Sequence, residues 1–254
     1  MVQNGQITFY FNPVRILCSS AYAGWQSVSQ LNEHSPFSQR IQIALAQAKA
    51  DYSKCFVTLP EKPAWYVEKV NPIGKYAPED PSPEAKIINE SSVILEFLAD
   101  LFPEAHLLPS DPVLRAKARL FIDTFVSKVF KPSEAFFLFY IEGSKSAKEL
   151  LEGLDALQAA LPPSGLVVGG QEWTNADSAV APFLIRMDMM LKHGIGRYPQ
   201  SEGLDALEAW QGQRFARLAK YVADIKESPV YREVWDEEAS LELLKQHPLL
   251  MKRK

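Results

Sequence analysis

An α/β segment followed by an all-α remainder is predicted from three observations. The runs that read as strands, 7–11, 52–59 and 85–88, all lie in the first third of the chain. Helix starts marked by serine or by a polar residue before proline stand between and after them, giving a βαβ-ββα order. From Ser110 onward the apolar residues recur at helical spacing. With 254 residues, 47% of them hydrophobic and 23% charged, there is ample material for one large or two smaller domains.

Net charge is −4, which gives no reason to expect a nucleic-acid partner; the Lys252-Arg253-Lys254 tail is too short to argue for one. Two cysteines, Cys18 and Cys55, supply neither a disulfide framework nor a metal set. The first residues lack the basic and apolar regions of a signal peptide. No apolar run approaches the length that crosses a bilayer. The expectation is a cytoplasmic protein without a bound metal and without a membrane partner.

Ile7-Thr8-Phe9-Tyr10-Phe11 is short, β-branched and aromatic, and Asn12-Pro13 closes it. Residues 14–34 show no clear period, so a long connection without regular structure is expected there. Tyr22 and Trp25 inside it either cover a nearby pocket or simply pin the connection down. Ser35-Pro36 then opens a helix with Phe37, Ile41, Leu45 and Ala48 at apolar spacing. Serine is a preferred cap and proline suits the first helical position. Free N–H groups and the macrodipole make that helix end attractive to anions. A purely structural cap is the plainer alternative.

The second strand, 52–59, precedes Lys62-Pro63-Ala64-Trp65-Tyr66 and Asn71-Pro72-Ile73-Gly74. Pro78 stands at a strand entrance, where a fold can hold it cis because the X–Pro trans preference is only about 0.5–1 kcal/mol. Strand 85–88 leads to Glu90-Ser91, with Ser91 expected as the cap of a helix that turns Val93, Ile94, Phe97, Leu98 and Leu101 inward. Two positive helix ends in one domain suit a small anionic molecule.

In this order the motifs resemble the glutathione transferases, most of all the omega class. That family's thioredoxin-like N-terminal domain carries Cys-Pro-Phe-x-x-Arg, Lys-Pro-x-Trp-aromatic, Asn-Pro-x-Gly, a cis-proline and Glu-Ser at a helix start. Here they stand as Ser35-Pro36-Phe37-Ser38-Gln39-Arg40, then 62–66, 71–74, Pro78 and Glu90-Ser91, and Leu107-Leu108-Pro109 matches the interdomain linker. The resemblance implies a thioredoxin-like domain over 1–104, a linker at 105–109 and an all-α domain over 110–254. It implies glutathione as cosubstrate, no metal, and a homodimer. Lys62 would pair with the glycyl carboxylate, Ala77 before Pro78 with the cysteinyl unit, Glu90 with the γ-glutamyl amine and Ser91 with its carboxylate, while Phe37 completes the glutathione side. Three departures stand out: serine in place of the omega cysteine, the long 14–34 connection, and one extra residue before Pro78.

In the remainder, Leu114, Ala118, Phe121, Ile122, Phe125 and Val129 form the inward face of a long helix that Pro132 should kink or end. Helical signals continue through 136–140 and resume over 146–161, 204–225 and 229–244. Gly-Leu-Asp-Ala-Leu occurs at 153–157 and 203–207, but without a third copy it reads as chance helix composition. Thr174 and Asp177 form a capping-box variant, a structural device. Phe125 and Phe183, with the Tyr22–Trp25 stretch, are the candidates for a hydrophobic-substrate wall.

A serine suffices for thiolate chemistry. Bringing a thiol pKa from about 8.5 toward neutrality takes about 2.7 kcal/mol. A helix end contributes roughly 0.3–1 kcal/mol, and a charge-assisted hydrogen bond about 1.5–3 kcal/mol more. The expected activity is attack of glutathione on hydrophobic electrophiles or peroxides. Thioltransferase chemistry should be absent or weak, because serine cannot form the mixed disulfide. The alternative is a non-catalytic binding protein for glutathione and aromatic small molecules. Ser35 as a covalent nucleophile is set aside: adjacent His34 is directed away by capping geometry, and no hydrolase motif surrounds the other histidines.

Overall fold

Among the described residues of the first unit, 1–107, four strands form a sheet of order β3-β1-β2-β4. β1 (Gln6–Phe11) runs parallel to β3 (Tyr52–Phe56). A parallel pair needs a long crossover, and α1 (Pro36–Gln47) lies in it. β2 (Arg15–Ser19) forms an antiparallel hairpin with β1 and pairs antiparallel with β4 (Lys86–Asn89). α2 (Ser91–Leu101) follows β4 directly and packs beside α1. This computed structural model describes residues 6–11, 15–19, 35–56 and 86–250.

The sheet corrects one expectation. Residues 15–19, read from sequence as part of an irregular connection, are a central strand bonded on both edges. Arg-Ile-Leu-Cys-Ser is too short to show a period, and its order comes from the neighbours it pairs with. The rest of that connection, with Tyr22 and Trp25, lies outside the described residues, as do Lys62, Ala77 and Pro78.

α1 is buried without interruption from Ser38 to Leu45, although Ser38, Gln39, Arg40 and Gln42 are polar. α2 is more conventional. It buries Ile94, Leu95 and Leu98, while Val93, expected inside, is 55% exposed. Ile94 and Leu98 are inside as expected, and Leu95 rather than Val93 is buried beside them.

Residues 108–250 are helical. Asp111 caps α3 (Pro112–Thr124), its carboxylate accepting the Leu114 N–H at 2.7 Å. α3 passes into a π-helical segment, Phe125–Phe130, and then into α4 (Lys131–Phe137). Pro132 therefore neither ends nor breaks the rod. It has no N–H to return to Lys128 four residues back, and a change to i→i−5 bonding removes the need for that donor. α5 (Ser146–Ala159) lies against this segment, with Gly153 at the Lys128 carbonyl: a Cβ there would sit 2.1 Å from the oxygen.

α6 (Asn175–Lys192) is the centre of this unit. Its capping box is formed as the spacing of Thr174 and Asp177 requires. Asp177 Oδ2 accepts from the Thr174 N–H and hydroxyl, each at 2.9 Å, and Oδ1 from the Val167 N–H and the Tyr221 hydroxyl, each at 3.1 Å. Burial pushes this carboxyl's pKa up, and those four donors pull it back. Around α6 stand α7 (Gln200–Gln211), α8 (Ala216–Glu227), α9 (Pro229–Val234) and α10 (Glu237–Gln246). The two Gly-Leu-Asp-Ala-Leu copies are not equivalent: Leu154 is core and Leu204 is exposed. No helix of the described residues is long and apolar enough to cross a membrane.

The close approach at Gly153 is to backbone, which cannot step aside. Gly153→Ala is expected to lower the urea unfolding free energy by about 1–3 kcal/mol, despite alanine's better helix propensity.

Candidate active site

Ser35 occupies the cap of α1 at φ −65°, ψ 129°, with its carbonyl accepting the Gln39 N–H at 2.9 Å and Pro36 in the first turn. Ser228 repeats the arrangement before Pro229, at φ −68°, ψ 140°. The two side chains behave differently. Ser228 Oγ accepts the Tyr231 N–H at 3.2 Å, as an N-cap should. The Ser35 hydroxyl makes no cap bond. Side chains cap α3, α6 and α10 as well, through Asp111, Thr174 and Asp236. With the backbone nearly the same at both serines, the difference is one of side-chain rotamer, and it leaves a half-buried hydroxyl beside uncapped amides. No acidic residue in the first turn offsets the positive end.

The α2 end is built differently from expectation. Glu90, not Ser91, is its cap: the Glu90 carbonyl accepts the first helical N–H, from Ile94, at 2.9 Å. Ser91 is the first helical residue and only 6% exposed. Serine propensity points to the wrong position here because the chain enters the helix through a strained turn. Glu90 has φ 68°, ψ 119°, a region that residues with a Cβ rarely adopt. Its side chain makes no cap bond, and this first turn too lacks an acidic residue.

Arg40 joins the two helix ends. It is 5% exposed, and its Nη1 donates to Ser91 Oγ at 3.1 Å. Desolvation brings its pKa down to about 10, so it stays charged at neutral pH. Its guanidinium carbon lies 5.2 Å from the Phe37 ring centroid, a cation–π contact that leaves Phe37 39% exposed. The first unit thus gathers Ser35, Phe37, Glu90 and Ser91 at two adjacent helix starts. Arg40 was visible in the motif, but nothing in its spacing revealed that it reaches the second helix.

Phe125 and Phe183 belong to the second unit, with ring centroids 5.2 Å apart. Phe125 is 1% exposed, a core position, while Phe183 is half-buried. Phe130 completes the cluster, 5.6 Å from Phe183 at 86°. It escapes a 3.6-residue pattern because the intervening turn is π. Among the described residues no group of three or more His, Cys, Asp or Glu could hold a metal ion.

Two family models match the chain: the glutathione S-transferase N-terminal domain over 33–106 and the C-terminal domain over 141–224. Glutathione transferase Omega 2S from Trametes versicolor is 36% identical, with 98% of this chain and 100% of that one covered at a TM-score of 0.79. It has also been solved in complex with 2,4-dihydroxybenzophenone. Omega 1C from the same fungus is 34% identical, with a TM-score of 0.80 and coverage of 98% and 100%. A probable cytosolic glutathione S-transferase DHAR1 of Oryza sativa subsp. japonica is 29% identical over 184 residues, 72% of this chain and 80% of that protein.

The turn at Glu90 generates a prediction about stability. Glycine ordinarily destabilises relative to alanine, but it alone relieves a positive φ. Glu90→Gly is expected to exceed Glu90→Ala by about 1 kcal/mol in urea unfolding, the reverse of the usual ranking.

Proposed function

The chain belongs to the glutathione S-transferase family, and from that premise we propose that it is an omega-like enzyme in which Ser35 activates the glutathione thiol. The observation that supports this reading is that the Ser35 hydroxyl does not cap its helix, whereas Ser228 caps its own from nearly the same backbone geometry. A hydroxyl that does not cap is available to donate to a sulfur anion. Deprotonated sulfur at that position gains both this hydrogen bond and the positive end of α1.

Each further part of the reading answers a chemical need of the tripeptide. Ser91, at the start of α2, receives the γ-glutamyl carboxylate, and Glu90 its ammonium. Lys62 pairs with the glycyl carboxylate, and the backbone of Ala77, presented by Pro78, with the cysteinyl unit. Phe37 gives the first domain an exposed apolar edge, and Phe183 and the Tyr22–Trp25 stretch form the hydrophobic-substrate side, with the buried Phe125 ring packed behind Phe183 rather than facing a ligand. The thiolate then attacks an electrophilic carbon in conjugation or a peroxide oxygen in reduction. The first domain carries glutathione, the helical domain the hydrophobic substrate, and the working form is a cytoplasmic homodimer.

A second reading has its own support. The 36%-identical fungal relative was solved with 2,4-dihydroxybenzophenone, so aromatic ligand storage is a competing role for the same fold. Tight aromatic binding unchanged by Ser35→Ala, with no glutathione-dependent turnover, selects it.

The catalytic reading predicts that Ser35→Ala raises the bound thiol's pKa by about one to two units, read as thiolate absorbance against pH. It predicts a fall in kcat/KM at neutral pH of about 10- to 100-fold, with the loss shrinking as pH rises and the thiol ionises unaided. Ser35→Cys should acquire a mixed disulfide with glutathione, detectable by mass spectrometry, and with it thioltransferase activity.

A further inference from the structure

Ser91 has a hydroxyl with one donor and two acceptor positions. The guanidinium of Arg40 has donors only and cannot be deprotonated near neutral pH. Their 3.1 Å contact therefore has a fixed sense: Arg40 donates and Ser91 accepts. Among the described residues the Ser91 side chain makes no other hydrogen bond, so none of them accepts its proton. That proton belongs to a residue at a helix start, where the backbone amides also point outward as donors. Apart from the Glu90 carboxylate, which is set to take the ammonium, the groups described at this end offer protons.

Building on the glutathione reading, we propose that Arg40 is a positioning residue for glutathione recognition. By holding the acceptor side of Ser91 Oγ, it makes that hydroxyl an obligatory donor to the γ-glutamyl carboxylate. Without Arg40 the hydroxyl is free to turn and donate to a backbone carbonyl instead, presenting lone pairs to an anion. Arg40 also links the first turns of the two helices, so the same side chain sets the Phe37 edge and the carboxylate-binding end together. It touches no substrate itself.

The test is a double-mutant cycle read by calorimetric binding of glutathione and of glutathione amidated at the γ-glutamyl carboxylate. Arg40→Met is expected to weaken glutathione about tenfold and the amide by less than twofold. On a Ser91→Ala background it should weaken glutathione by less than twofold. An equal loss for both ligands, or a tenfold loss that persists without the Ser91 hydroxyl, would mean that Arg40 only holds the fold, and overturns the proposal. If Arg40→Met melts well below the wild type, Ser91→Ala alone decides: it must abolish the preference for the acid over the amide. Arg40→Lys, which keeps charge and a donor, should restore part of that preference. Failure of the wild type to bind glutathione at millimolar concentration would instead sink the glutathione reading and this assignment with it, whereas binding with strictly additive losses sinks this assignment alone.

Discussion

A serine in front of a proline-started helix faces a choice that its neighbours settle. Its hydroxyl can turn inward and accept an amide of the first turn, or turn outward and remain available. The first option stabilises the helix by about 0.5–2 kcal/mol, and Ser228 takes it. Ser35 does not. The helix it opens can forgo the cap because it is buried along eight consecutive residues, Ser38 to Leu45. Tertiary burial holds α1 in place without the cap bond that Ser228 gives its own helix. The rest of the site follows from this surplus of donors: two helix starts without acidic residues in their first turns, joined by a buried cation.

The second unit shows the opposite use of the same chemistry. Asp177 draws in the start of α6, the loop at Val167 and the α8 residue Tyr221 with four donors around one carboxylate. Every acceptor position there is occupied, and the side chain is wholly buried. A saturated network of that kind gives rigidity and has nothing left to offer a ligand. Asp177 and Ser35 both sit in strong capping signatures, yet only the first side chain is spent on holding the fold.

Much of this was legible in the sequence wherever the signal was local. Pro36, Pro112 and Pro229 marked helix starts that stand where they were expected, and Thr174 with Asp177 announced the capping box. What escaped was set by contacts distant in sequence. β2 is five residues with no pattern of its own, ordered by bonding to β1 and β4. The cap of α2 moved from Ser91 to Glu90 because the entry turn takes a positive φ that no propensity for glutamate would suggest. Phe130 joined Phe125 and Phe183 only through a π turn, whose wider pitch a 3.6-residue reading cannot anticipate. Arg40 lies 51 residues from Ser91, and a motif gives no hint of so distant a partner.

The sheet register adds an argument about which thiol the chemistry uses. Cys18 stands opposite Ile7 on one side of β1, and Cys55 opposite Tyr10 on the other. Three residues along a strand is about 10 Å, and two inter-strand steps add about 9.6 Å at right angles. The two α-carbons are therefore roughly 14 Å apart, twice the span a disulfide tolerates. The chain's own cysteines cannot cycle between dithiol and disulfide within one molecule. With its two cysteines on separate strands, the chain has no internal redox couple to offer. That agrees with the proposed reading, in which the reacting thiol arrives with glutathione.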